Sequence, residues 1–313
     1  MTSRFQFASA PDSWGVLDYP GPSWEQSYEK MLDEMVAAGY AGTELGPYGF
    51  FPTDASILQS ELQKRRMKLL GSFVPVTLSD PAATKAVVEQ IRKVGALLAA
   101  LGAPFLVLAD AQSSERNRIS GCVPSDGSAA LNPRQWKQVA KVVADAGSVA
   151  AEYGLDLVFH PHIATYVETP KEVERFFDAT SATGIGLCLD TGHCVYGGGD
   201  ASVEAEKYRS VLRFVHIKDI DHKVLAEARR KHLNFEEAIE AKVFTIVGQG
   251  SIDFPGFFRT LAKNNYSGWM VVEQDVTFGA TLVPPAESVA ESLKYLMGVV
   301  SQLNAAPSSS QDH

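Results

Sequence analysis

Only three cysteines, Cys122, Cys188 and Cys194, occur in 313 residues, and neither their spacing nor their odd number suits a disulfide framework. No apolar run approaches the ~18 residues of a membrane span. The start, MTSRFQFASAP, lacks the long apolar core of a secretory signal. An excess of positive charge is also missing. The 28 basic and 37 acidic side chains leave a formal charge of −9, which argues against a nucleic-acid or acidic-membrane partner, since both need a net basic face. No Pro-, Gly- or Ser-rich linker occurs before the tail NAAPSSSQDH (304–313), which reads as disordered. The simplest reading is a cytoplasmic, soluble protein with one domain over residues 1–303. At 45% hydrophobic content it can bury a substantial core without covalent staples.

What is present is a repeating alternation. Eight β-like runs recur: RFQFASA (4–10), GTELG (42–46), LLGSFVP (69–75), PFLVLAD (104–110), LDLVFHPH (155–162), IGLCLD (185–190), RFVHIKD (213–219) and GWMVVEQD (268–275). Between them lie stretches such as ATKAVVEQIRKVGALLAALG, whose apolar residues return every three or four positions and which end in glycine. Strand and helix in alternation imply parallel strands joined by right-handed crossovers. Eight units in ~250 residues or more suit a (β/α)8 TIM barrel better than an open sheet. An open sheet usually has a glycine-rich phosphate loop after its first strand, whereas APDSWGV follows here. The glycines of GQG (248–250) lie in a long loop and read as a turn. RRKH (229–232), with acidic neighbours, reads as a solvated helix face.

In such a barrel the chemistry sits at the carboxyl ends of the strands. Those positions hold Glu44, Asp110, His160 and His162, Asp190, then His216, Lys218 and Asp219, and finally Glu273 and Asp275; His193 follows Asp190 by three residues. Polar groups ending apolar strands are costly to bury unless paired or coordinated. His160, Asp190, His216 and Glu273 offer N and O donors from four consecutive strands, a set suited to a divalent ion such as Mn²⁺, Co²⁺ or Zn²⁺ without fixing which. His160 and His162 are two apart and so share a face. The deeper one, His160, is read as the ligand and His162 as a substrate contact, although either could bind the ion. Cys188 lies in a strand body and reads as core.

These motifs, with TELGPYGF, FHPHIATYVET, LCLDTGHCVYGGGD, FVHIKDI and VFTIVGQGSIDF, resemble the xylose isomerase-like TIM barrels of the sugar isomerase and epimerase superfamily, and among them most of all the inosose (2-keto-myo-inositol) dehydratases. LDTGHC and HIKD are shared widely; the segment after the seventh strand is the more specific. The resemblance implies a metal on His160, Asp190, His216 and Glu273, with Mn²⁺ or Co²⁺ first and Zn²⁺ or Mg²⁺ as alternatives. Typical epimerases and isomerases of the superfamily carry glutamate on the fifth strand as well as the eighth, the pair moving protons on opposite sugar faces. Here the fifth strand offers His160. One base fewer disfavours two-glutamate epimerisation and favours elimination of water from a sugar or cyclitol ketone through an enediolate.

For that reaction Glu273 or Lys218, the latter if burial lowers its pKa, are the candidate bases. His193 or His162 is the candidate acid. Glu44 could bind a ring hydroxyl, and Trp14, Tyr48 and Phe50 could wall the sugar. The competing readings are a ketose or inosose isomerase or epimerase, a lyase acting on 3-keto-glycosides, and a sugar-binding barrel without metal. A multi-zinc nuclease of the same fold would need more ligands and less negative charge. Such barrels often pair through the helical outside, so a homo-oligomer is compatible.

Overall fold

A computed structural model describes residues 4–17, 26–277 and 281–305. The strands are β1 (Phe5–Ser9), β2 (Gly42–Thr43), β3 (Lys68–Leu69), β4 (Phe73–Val76), β5 (Phe105–Asp110), β6 (Asp156–Phe159), β7 (Gly186–Asp190), β8 (Leu212–Ile217), β9 (Asp219–Ile220), β10 (Phe244–Thr245) and β11 (Gly268–Val272). Nine of them form one sheet in the order β3-β2-β1-β11-β8-β7-β6-β5-β4, with parallel pairing throughout.

The run 69–75 read as one strand is split into β3 and β4, and the reason is visible in its hydrogen bonds. Leu70 N–H donates to Thr43 O and Leu45 N–H to Gly71 O, both at 2.9 Å, while Phe105 N–H reaches Leu70 O and Val107 N–H reaches Ser72 O, both at 3.0 Å. Residues 68–76 are therefore a single stave touching β2 on one side and β5 on the other, and the sheet closes into an eight-staved barrel. Gly71 permits the close passage, since a Cβ there would stand 2.8 Å from Phe105 O.

Alternation along the staves sends one residue set inward and the other towards the helices. The inward set is Ala8, Ala10, Leu70, Val107, Val158, Cys188, Phe214 and Val271, small side chains around the large Phe214, so the barrel is filled. Cys188 is core, as its place in the strand suggested. The outward set packs on amphipathic helices. Pro133–Glu152, for example, starts in an Asn132/Gln135 capping box and buries Trp136, Val139, Val142, Val143, Ala146 and Val149. Each large apolar side chain buried this way contributes roughly 1.5–3 kcal/mol.

Between β8 and β11 the chain inserts the helices His222–Lys231 and Phe235–Glu240 and an antiparallel β9–β10 pair. Asp219 organises this insertion. Its carboxylate accepts from Ile220, Gly248, Gly250, Ser251 and Ile252 N–H at 2.8–3.2 Å. Gly248, at φ +94°, gives GQG its turn. Asn117, in the loop after β5, holds the other side, accepting Phe235 N–H at 2.8 Å and donating to Glu236. In RRKH, Arg230 and Lys231 pair with Glu227 at the surface.

The last helix, Pro285–Ala305, takes in Asn304 and Ala305, the first two residues of the tail expected to be disordered. The remainder, 306–313, lies outside the described residues. Among the described residues no helix is long and apolar enough to cross a membrane.

Candidate metal centre and cavity

Register brings the candidate ligands together. Asp190 on β7 is paired with His216 on β8, so both emerge at one level of the mouth. His160 follows β6, its N–H bonded to Leu108 O at 2.8 Å, and Glu273 follows β11, its N–H bonded to Ile217 O at 3.0 Å. One ligand atom from each of His160, Asp190, His216 and Glu273 falls within 4.8 Å of the others, and all four residues are buried. His160 Nε2 is 3.6 Å from Asp190 Oδ2, and His216 Nδ1 is 3.1 Å from Glu273 Oε2.

The donors fit a shared cation better than one another. Neither His160 Nδ1 nor His216 Nδ1 makes a hydrogen bond, although each unsatisfied buried polar group costs ~1–3 kcal/mol. Two imidazoles and two carboxylates converging without bonding each other are a mixed N/O set for a divalent metal ion. The other ring nitrogen of His216, Nε2, stands 3.2 Å from Glu44 Oε1. This leaves Nδ1 to face Glu273, the carboxylate–histidine arrangement that orients metal ligands.

Lys218 sits at the hub of the surrounding charges. Its Nζ binds Glu273 Oε2 very closely, and lies 3.2 Å from Asp190 Oδ2, 3.3 Å from Asp275 Oδ1 and 3.6 Å from Asp12 Oδ2. Burial alone would lower its pKa; the carboxylates Asp190, Asp275, Glu273 and Asp12 instead raise it well above the ordinary lysine value. The expectation of a base with a lowered pKa is overturned, and Lys218 is a held ammonium. Burial would raise Glu273 too, but His216 and Lys218 bring it down to about 2. Asp190 is also held low, Lys218 and the neighbouring histidines His193 and His160 outweighing its burial. Asp12 and Asp275 go the other way, raised by burial and by Glu273, with Lys218 opposing.

These groups line a cavity of about 290 Å³, at the lower end for small-molecule sites. His160, His162, His216, Lys218, Glu44, Glu273, Asp12, Asp110 and Asp275 give its polar side, and Phe73 and Phe235 its aromatic walls. Neither His160 nor His162 turns into the helical layer. His162 Nδ1 is 2.7 Å from Ile163 O; an N–H there donates to that carbonyl and leaves Nε2 with its lone pair. Burial and the neighbouring His160 lower its pKa to about 3, so the ring is neutral.

His193 does not line the cavity. Its N–H donates to Asp190 Oδ1 at 2.7 Å, and its ring lies behind that of His162, tilted by 38° with centroids 3.9 Å apart. Burial and His162 keep it well below the usual histidine pKa, and Asp275 Oδ2 lies 3.6 Å from its Nε2.

Trp14, Tyr48 and Phe50, expected as a wall over the sugar, are corrected. Trp14 is buried, with its indole N–H donating to Glu34 at 2.7 Å. Tyr48 lies under the Lys93 ammonium at 4.1 Å, and Phe50 packs on Phe51. The aromatic side chains that line the cavity are Phe73 and Phe235. Asp219, among the strand-end donors, anchors the insertion instead. Asp12 was missed, although it stands in the PDSW turn directly after the first strand, where its carboxylate points over the mouth.

Residues 32–298 match the family described as xylose isomerase-like TIM barrel. The chain is 31% identical over 297 residues to an inosose dehydratase of Clostridium perfringens, covering 94% of this chain and 97% of that one. A structure of D-allulose 3-epimerase from Methylomonas sp. superposes with TM-score 0.69 at 17% identity, over 95% of this chain and 98% of the other. A structure of IolI with a bound zinc atom superposes with TM-score 0.68 at 16% identity, over 95% and 98%; at such identities these two show the shared fold.

Proposed function

The chain belongs to the xylose isomerase-like TIM barrel family, and from that premise we propose that it is a divalent-metal-dependent lyase that removes water from 2-keto-myo-inositol. The observation that carries the reading is the convergence of His160, Asp190, His216 and Glu273 beside a neutral, tautomer-fixed His162. The kinship with inosose dehydratases supplies the substrate class. His160, Asp190, His216 and Glu273 would hold the ion, Mn²⁺ or Co²⁺ foremost, and a bound ion supplies Lewis acidity towards the substrate carbonyl and the enediolate oxygens.

The chain's own groups carry the protons. Glu273 is committed to the ion and to the Lys218 ammonium, and His193 is screened from the cavity by His162. His162 Nε2 is therefore the proton acceptor for the C–H next to the ketone. The electron pair of that bond becomes the enediolate and then the new C=C as the β-hydroxyl leaves. Lys218 donates the proton with which the hydroxyl departs as water, its ammonium aimed by Asp190, Glu273, Asp275 and Asp12. Asp12 and Asp275 also accept from ring hydroxyls, and Phe73 and Phe235 give the C–H faces of the ring an apolar surface.

The test is incubation of the Mn²⁺-loaded protein with 2-keto-myo-inositol in D₂O, followed by mass spectrometry. Loss of the elements of one water from the substrate, abolished by chelator, is the expected result. Deuterium uptake without water loss would replace the reading by isomerisation or epimerisation in the same cavity.

A further inference from the structure

The turn that carries His162 is braced from behind by a buried polar cluster with no part in the chemistry derived above. Ala164, two residues on, is fully buried at φ +65°. That conformation costs a residue with a Cβ roughly 1–2 kcal/mol and persists only where neighbours over-determine it. The neighbours are identifiable. Ala164 O accepts from Ser113 N–H at 3.1 Å, and Ala164 N–H donates to Glu168 Oε2 at 3.0 Å. The second oxygen of Glu168 accepts Gly121 N–H at 2.7 Å, from the loop after β5. Behind it, Glu172 accepts Glu168 N–H at 3.1 Å and takes both guanidinium ends of Arg116, at 2.5 and 3.0 Å. Arg116 Nη2 is 3.8 Å from Glu168 Oε2, and both side chains are 0% exposed.

We propose that Glu168 is a positioning residue for His162: by accepting one amide N–H from each of two loops it holds the Ala164 turn in its left-handed conformation and so aims the imidazole into the cavity. The inference rests on the reading of His162 as proton acceptor. Two N–H groups converge on the two oxygens of one carboxylate, so an amide side chain in its place would turn its own N–H groups on one of them. The charged and titratable groups facing Glu168 are Arg116, Glu172 and Tyr196. Burial pushes its carboxyl up to about 7, against the pull of the Gly121 amide, Arg116 and the Ala164 amide. The clamp therefore tightens as pH rises through neutrality.

The experiment uses the full chain loaded with diamagnetic Zn²⁺ and labelled with ¹⁵N-histidine, the His162 signals being assigned by their loss in His162→Gln. The expected wild-type signal is a single tautomer protonated at Nδ1. In Glu168→Gln that signal shifts or broadens, kcat falls about 10- to 100-fold, as for a catalytic group displaced by about 1 Å, and KM stays within about twofold. Adding Ala164→Gly, which takes a positive φ at no steric cost, restores the imidazole signal and most of kcat. A general structural defect would not be rescued in this way. An unchanged His162 signal in Glu168→Gln, or no rescue by glycine, overturns the proposal. Should Glu168→Gln fold poorly, Glu168→Asp, which keeps the carboxylate but shortens its reach to the Ala164 and Gly121 amides, takes its place: a shifted His162 signal rescued by Ala164→Gly supports the clamp, and an unchanged signal overturns it. If the wild-type protein fails to dehydrate the inosose, the functional reading falls while the spectra still judge the positioning.

Discussion

Replacing Glu44 by glutamine tests how the centre is built. Glu44 and His216 are 2% and 1% exposed, and their contact of 3.2 Å is made at Nε2, leaving Nδ1 without a hydrogen-bond partner. A hydrogen bond to a charged partner is worth ~1.5–3 kcal/mol and a neutral one ~0.5–1.5. Glu44→Gln keeps an acceptor oxygen but removes the charge, a loss of about 1.4 kcal/mol, or about tenfold in Kd. Glu44→Ala leaves Nε2 buried without a partner and goes further, towards the roughly 100-fold seen when an orienting partner of a metal ligand is removed. Competition of Zn²⁺ between the protein and a chromophoric chelator measures both. Metal-free melting temperatures show whether folding has suffered independently. Zn²⁺ affinities equal to wild type in both variants would refute the claim that Glu44 orients His216 for a cation.

His160→Glu restores a carboxylate to the fifth stave, so water loss should fall while solvent deuterium enters next to the ketone, read by mass and proton NMR in D₂O; unchanged dehydration would remove His160 as the reason for elimination. Arg116→Met strands the buried carboxylates Glu168 and Glu172 and should cost about 3–5 kcal/mol in urea unfolding; a loss below about 1 kcal/mol would mean water already reaches the cluster. Glu168 has a folded pKa raised from 4.5 to about 7, so the folded state binds a proton that the unfolded state releases. Its contribution to stability is therefore greatest below pH 4.5, declines by up to about 3 kcal/mol as pH rises to 7, and is flat above. Stability curves at pH 4.5, 6 and 8 should lose that slope in Glu168→Gln, and parallel curves would contradict it. Stripping the ion with chelator should lower the melting temperature, with ~2.7 kcal/mol regained when Mn²⁺ is returned at 100 times its Kd; no change would argue against a resident ion.

The sequence by itself determined the staves and the identity of the convergent donors. Parallel strands in a closed barrel must end on one face, so a residue terminating an apolar run reaches the mouth whatever the loops do. His160, Asp190, His216 and Glu273 could be found that way, and so could Lys218, two residues beyond His216 on the same face. The charge of Lys218 could not be found, because it depends on Asp12, on Asp190, and on Glu273 with Asp275, which come from three separate parts of the chain and meet only in the folded barrel. Residues past the strand ends escaped for a related reason. Whether Trp14, Tyr48, His193 or Asp219 faces the cavity depends on loop dihedrals that periodicity does not encode, and tertiary packing turned each of them elsewhere. It brought in Phe73 and Phe235 instead, and Phe235 comes from an insertion placed by Asp219 and Asn117. The pattern of apolar runs specifies where side chains start; only long-range hydrogen bonds and burial decide where those beyond the strands point and which of them carry charge.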